Sequence, residues 1–275
     1  MYLLLGGMNM EKLKSLAKAA LYSLLFLAVQ FAVVIIFMII AVIKTISGGE
    51  LDPAKLAQAV SDYTLDHTML LSLIYGIVAI ALAALIFVIR KKNFFYETGI
   101  RKTNPVFIPL SLLLGCSLYV VACVLLTYAP FPESWVDAYA DSSSILAEDM
   151  GILAFISTAI IAPIAEEIYF RGLVYTRLAK GFGIYVGAAI ASLVFGLMHG
   201  TVIWVIYASL LGLMLAFVFT KTRSLICSIC THMAFNAMNY IVEDIDIFLI
   251  ILSAVSAAGA ITAIVLLSNR KASAF

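Results

Sequence analysis

Charged and apolar residues are sorted into long blocks along this chain. Eight stretches contain no Asp, Glu, Lys or Arg: 19–43, 68–89, 106–127, 150–165, 181–198, 200–220, 224–242 and 247–269. They run 25, 22, 22, 16, 18, 21, 19 and 23 residues. A helix needs about 20 apolar residues to cross the hydrocarbon of a bilayer. The runs are too long, and alternate too little, for strands of a globular sheet or a membrane barrel. The pattern predicts an all-α, polytopic membrane protein of about eight transmembrane helices. Two longer connections, 44–67 and 128–149, interrupt it, and the second carries Pro130, Phe131, Pro132 and Trp135, which suit an interfacial segment. With no linker, repeat or low-complexity run, residues 1–275 read as a single integral membrane domain.

Composition sharpens this picture. Hydrophobic residues make up 64% of the 275 positions and charged residues 12%. A soluble domain carries about twice that charge, so a water-soluble globule is excluded. Four Cys exclude a disulfide scaffold. A net charge of +1 argues against a nucleic-acid partner. The first apolar run is too long for a cleavable signal peptide. The opening MYLLLGG precedes the basic stretch, and a start at Met8 or Met10 would give a more ordinary N-terminus.

The near-zero balance hides a strong sidedness. Fifteen of the 17 basic residues fall at the N-terminus, after the second, fourth and sixth runs, and at the C-terminus. Only Lys44 and Lys55 lie on the other side, with 12 of the 16 acids, among them Glu50, Asp62, Glu133, Glu148, Asp149 and Asp244. Basic residues accumulate in short cytoplasmic loops. Both termini are therefore expected in the cytoplasm, in agreement with an even helix count.

Few ionisable groups remain inside the apolar blocks, and such groups are expensive at membrane depth and mark function. They are Glu166, Glu167 and Arg171 on the fourth run, His199 closing the fifth, and His232 on the seventh, followed there by Asn236. Glu167 and Arg171 are four apart and share a helix face. Glu166 points elsewhere and has no such partner, which leaves one carboxylate free for general acid–base work. His232 and Asn236 are also four apart. Pro163 removes a backbone hydrogen bond beside the carboxylates, so a kink and a freed carbonyl are expected there. At about 1.5 Å per residue, the polar groups bracket the bilayer centre and converge on one polar intramembrane cavity. Cys227 and Cys230, in an apolar helix, read as packing, as do Cys116 and Cys123. His67 reads as an interfacial residue.

Three segments in this region carry a resemblance. Glu166-Glu167-Ile168-Tyr169-Phe170-Arg171 resembles the EExxxR motif of the CPBP intramembrane proteases, the CAAX protease and bacteriocin-processing (Abi) family. Phe195 to His199 resembles its FxxxH motif, and His232 to Asn236 its HxxxN motif. They occur in the family's order within a core of about 150–242. The resemblance implies an intramembrane endopeptidase acting on a membrane-associated peptide or protein. It implies that Glu166 activates water with His199, that His232 and Asn236 stabilise the oxyanion, and that Glu167 and Arg171 support the site. Glu166, His199 and His232 also equal the His₂Glu set of a catalytic zinc site. The metal-free form is preferred, because Asn236 is a poor zinc ligand and suits an oxyanion role. The compact chain looks bacterial, which argues against prenylated CAAX proteins as natural substrates. The alternatives are a non-catalytic immunity or regulatory scaffold and a proton-coupled transporter; no inverted repeat supports the latter.

Overall fold

The structure is a computed structural model that describes residues 9–147 and 150–272. The MYLLLGG opening with Met8, and Glu148 and Asp149 of the acidic connection, lie outside the described residues. Among the described residues every regular element is helical.

The chain opens with α1 (Met10–Ser47), which Asn9 caps by accepting a hydrogen bond from the Lys12 backbone N–H. Then come α2 (Pro53–Asp66), α3 (Thr68–Ile89), the short α4 (Phe94–Thr98), α5 (Phe107–Tyr128) and α6 (Glu133–Ala147). A 31-residue helix, α7 (Ile152–Phe182), follows. It is succeeded by α8 (Ile184–Leu197), α9 (Val202–Thr222), α10 (Leu225–Ala237) and α11 (Ile247–Ala272).

Six helices are long and apolar enough to cross a bilayer: α1, α3, α5, α7, α9 and α11. The other two expected spans are shorter. Residues 181–198 and 224–242 fold as helices of 14 and 13 residues, α8 and α10, each reaching only about 20 Å. The reasons are local. Gly183, in a left-handed backbone at φ 85°, delays the start of α8, and Gly200 at φ 89° turns the chain beyond its end. α10 tightens into a 3₁₀ turn at Met238–Tyr240. The two long connections are not loops, since each carries a helix, α2 and α6. On α6, Tyr139 packs edge-on against Trp204 at 5.8 Å between ring centres.

The outside of the bundle is as apolar as its interior. Leu21, Phe31, Ile36 and Val88 are exposed. Water would make this face costly, whereas lipid tails solvate it without penalty. The interior holds the aromatic residues Phe26, Tyr169, Phe170 and Phe195. Phe26 meets Phe170 edge-on at 5.4 Å, and Phe170 meets Phe195 at 5.2 Å. α10 is deeply enclosed: Cys227, Ser228, Thr231 and His232 are all buried. It packs against α5, α7 and α9. The basic residues of separate segments meet at one end of the bundle, where Arg101, Arg177, Lys180 and Arg223 line a common cavity.

The approach of α5 to α10 depends on Gly115. A Cβ there would overlap the carbonyl of Thr231, the residue before His232. Small residues let membrane helices approach at this distance. Gly115→Ala is expected to lower the thermal unfolding temperature in detergent, by the equivalent of about 1–3 kcal/mol of overpacking strain. Gly259→Ala, with open space beside it, is the matched control and should leave the temperature unchanged.

Candidate active site

The polar groups of the three motifs are brought together by α7, α8 and α10. α7 is not a uniform α-helix. It widens to π-helical geometry over Phe155–Ile161 and again over Glu167–Tyr175, and the two stretches are separated by Ala162–Glu166. π-bulges recur at functional sites, and here they flank the paired carboxylates on both sides.

The cause of the first lies in Pro163. In the wide register, the Ala162 N–H donates to the Ser157 carbonyl, five residues back. The next donor would be residue 163, which as proline has no N–H. The Thr158 carbonyl is therefore left without its backbone partner, and Asn236 Nδ2 donates to it at 2.8 Å. The freed carbonyl expected from the sequence exists, and a motif residue satisfies it. Thr158 is held further by its hydroxyl, 2.7 Å from that of Tyr240.

The two carboxylates occupy different environments. Glu167 is fully buried. Its Oε1 accepts from Arg171 Nη1 at 2.8 Å and from His232 Nδ1 at 3.1 Å. Its Oε2 accepts from Ser228 Oγ at 2.5 Å. Three donors from two helices thus converge on one carboxylate. Glu166 makes no hydrogen bond among the described residues. Its side chain retains 14% exposure, and its Oε2 lies 3.7 Å from His232 Nε2. His232 therefore stands between the two acids, with Nδ1 committed to Glu167 and Nε2 turned towards Glu166.

His199 is oriented in the same manner. Its Nδ1 lies 2.9 Å from the Phe195 carbonyl, an acceptor, so Nδ1 carries the proton and Nε2 is free. Phe195 separates the two imidazoles, meeting His199 at 4.8 Å and His232 at 5.8 Å between ring centres. The Arg171 guanidinium lies over the same ring at 4.2 Å, a cation–π contact in a dry interior. Arg171 fits because position 212 is glycine: a Cβ there would stand 3.0 Å from Nη2.

Residues 148–238 match the family model described as Type II CAAX prenyl endopeptidase Rce1-like. The segment is similar to that family over a third of the chain. All seven motif residues lie within it. A curated relative, named "Putative membrane peptidase YdiL", of Bacillus subtilis (strain 168), is 26% identical over 91 residues. That match spans 33% of this chain and 37% of the relative. No solved structure matches the chain significantly.

Within the matched segment, the division between Glu166 and Glu167 expected from spacing is the one observed. His232 is placed differently from the expectation, because it belongs to the Glu167 network as well as facing Glu166. Two contributors went unrecognised in the sequence. Ser228 precedes His232 by four residues, so the 228–232–236 spacing was the available signal. Gly212 left no signal, because its role is a shape made by three helices. His67 lies away from this cluster, its Nδ1 2.8 Å from the Tyr63 carbonyl. The four Cys are free thiols, with Cys227 buried on α10.

Removing one partner of a buried ion pair strands the other, at a cost of about 3–5 kcal/mol. Glu167→Gln and Arg171→Gln are each expected to lower the thermal unfolding temperature sharply in detergent. Glu166→Gln, which breaks no hydrogen bond, should leave it within a degree or two of the wild type. Equal losses for Glu166→Gln and Glu167→Gln would contradict the division described.

Proposed function

We propose that this chain is an intramembrane endopeptidase of the CPBP type, which hydrolyses a peptide bond of a membrane-associated peptide or protein. The observation that carries this reading is the asymmetry of the carboxylates. Glu167 is consumed by structure, and Glu166 is left without a hydrogen bond in a largely buried site, 3.7 Å from His232 Nε2, while His199 makes its one hydrogen bond through Nδ1.

In this reading a water is held between Glu166 and His199 Nε2. Glu166 takes its proton as the oxygen attacks the scissile carbonyl. Negative charge then develops on the carbonyl oxygen. His232, with a proton on Nε2, donates to it, and so does the second N–H of the Asn236 amide, whose first is fixed on Thr158. Donors held in place before the charge appears stabilise it most, because no reorganisation is needed. Collapse of the tetrahedral intermediate breaks the C–N bond, and Glu166 returns its proton to the leaving amine. Glu167, Arg171 and Ser228 act through His232 by fixing its ring.

No zinc takes part in this reading. The metal-free form is supported by the lack, among the described residues, of three His, Cys, Asp or Glu side chains grouped around one point; Glu166, His199 and His232 would be the residues to hold a zinc. The protein is placed in a bacterial cell membrane with both termini cytoplasmic, following the sidedness of its basic residues.

Purified protein in detergent or liposomes, assayed on a panel of membrane-associated peptides, tests the proposal. Glu166→Gln, His199→Ala and His232→Ala should each reduce turnover roughly 10²- to 10⁴-fold, the usual range for losing an acid–base group. Asn236→Ala should reduce it with a smaller effect. Turnover that survives Glu166→Gln would sink the mechanism. A chelator should leave wild-type activity intact, and loss restored by zinc would overturn the metal-free form.

A further inference from the structure

Two cavities meet at the basic end of the bundle, away from the motif residues. The first, about 440 Å³, is lined by Arg101, Arg177, Lys180 and Arg223, with Glu97 among them. The second, about 410 Å³, continues it outward between α8, α9 and α11. Its wall is apolar along Ile184, Ala188, Leu213 and Phe217, and it ends in Lys221, Arg223 and the polar Ser268 and Asn269. Tyr175, Thr220 and Arg223 line both. The hydroxyls of Tyr175 and Thr220 are 2.7 Å apart and form the ridge between the two spaces.

Five cations face one carboxylate across these walls. Glu97 is already engaged, by Lys92 and Arg177, each at 3.0 Å. Among the described residues, Arg101, Lys180, Lys221 and Arg223 have no carboxylate partner within 4.0 Å. The walls are nevertheless firmly set. The Leu225 N–H donates to the Gly99 carbonyl at 2.8 Å, and Ser224 Oγ donates to the Arg101 carbonyl. Arg223 itself closes α9 with a left-handed backbone, φ 55° and ψ 26°. Glycine is the ordinary residue there, and a side chain at this position carries a conformational cost. Such strain commonly marks a residue whose side chain is needed.

We propose that this junction is a binding site for an anionic phospholipid. The phosphate sits against Lys221 and Arg223, with Arg101 and Lys180 behind, and an acyl chain lies in the groove between α8, α9 and α11. Charge complementarity selects the headgroup, since basic pockets between membrane helices take anionic lipids. The apolar wall, opening on a bilayer-facing surface where Ile184 and Leu213 are exposed, selects a lipid over a free anion.

The test uses the full-length protein in detergent, titrated with phosphatidylglycerol or phosphatidylcholine and read by native mass spectrometry and thermal unfolding. Phosphatidylglycerol should bind roughly tenfold more tightly than phosphatidylcholine and raise the unfolding temperature. The double variant Lys221→Gln/Arg223→Gly should lose that preference. Because glycine relieves the backbone at 223, this variant should unfold no earlier than the wild type without lipid. Ala188→Trp, which fills the groove, should weaken binding of both lipids, and Arg90→Gln, away from the cavities, should change nothing. Equal binding of the two lipids, or a preference that survives the double variant, would overturn the proposal. A stabilisation reproduced by inorganic phosphate alone would mark a soluble anion site and would likewise overturn it.

Discussion

A carboxylate buried at membrane depth must be compensated completely or not be ionised at all, and Glu167 sets the terms for the rest of this bundle. Its three donors come from two elements: Arg171 from its own helix, and Ser228 and His232 from α10. An ion pair of this kind gives little net stability against a hydrophobic replacement, but breaking it is costly. Its consequence is therefore geometric. α10 can take only the position and rotation that bring residues 228 and 232 onto α7, and its close approach to α5 at Gly115 follows the same register. With His232 Nδ1 fixed, Nε2 has one direction to face, and that direction is Glu166.

The π-helical stretches of α7 belong to the same constraint. A wide turn carries an unpaired carbonyl wherever the ladder is interrupted, and in a membrane interior such a group needs a partner. Pro163 interrupts the ladder, and Asn236 supplies the partner. Two residues of the HxxxN motif thus dock α10 onto α7 at separate points, His232 on a side chain and Asn236 on the backbone. An oxyanion role for Asn236 and a structural one are compatible, because the amide has two hydrogens and the carbonyl takes one.

The sequence made the membrane class legible because the solvent demand is coarse: 20 apolar residues with few charges have few other uses. Six of the eight expected spans hold for that reason. The short helices α8 and α10 were harder to read, since hydropathy does not distinguish a span from a segment buried among other helices, and glycine turns at 183 and 200 set the ends of α8. Within one helix, spacing was enough, and the Glu167–Arg171 pair is four residues apart in sequence and in contact in space. Between helices it was not. The second partner of His232, the place of Ser228, and the space that Gly212 makes for Arg171 depend on how α7, α9 and α10 face one another, and no local pattern encodes that.

The shortness of α8 bears directly on the proposed chemistry. A helix of 14 residues does not reach across the hydrocarbon, so one end lies inside it. The last turn of any helix leaves carbonyls without internal partners, and lipid offers none. Such an end is tolerated where it is enclosed by protein or borders water. His199 stands two residues beyond the end of α8, partly accessible, with Nδ1 turned back to the Phe195 carbonyl. That contact adds a second donor to a carbonyl that already accepts from the Met198 N–H at 3.2 Å, and it aims Nε2 away from the helix. The end of this short helix is therefore also where the free histidine nitrogen is presented. A hydrolase working inside a bilayer has to solve the supply of water before the supply of a base. Under the proposed hydrolysis, the short helix would answer the first need, and the division of labour between two adjacent glutamates the second.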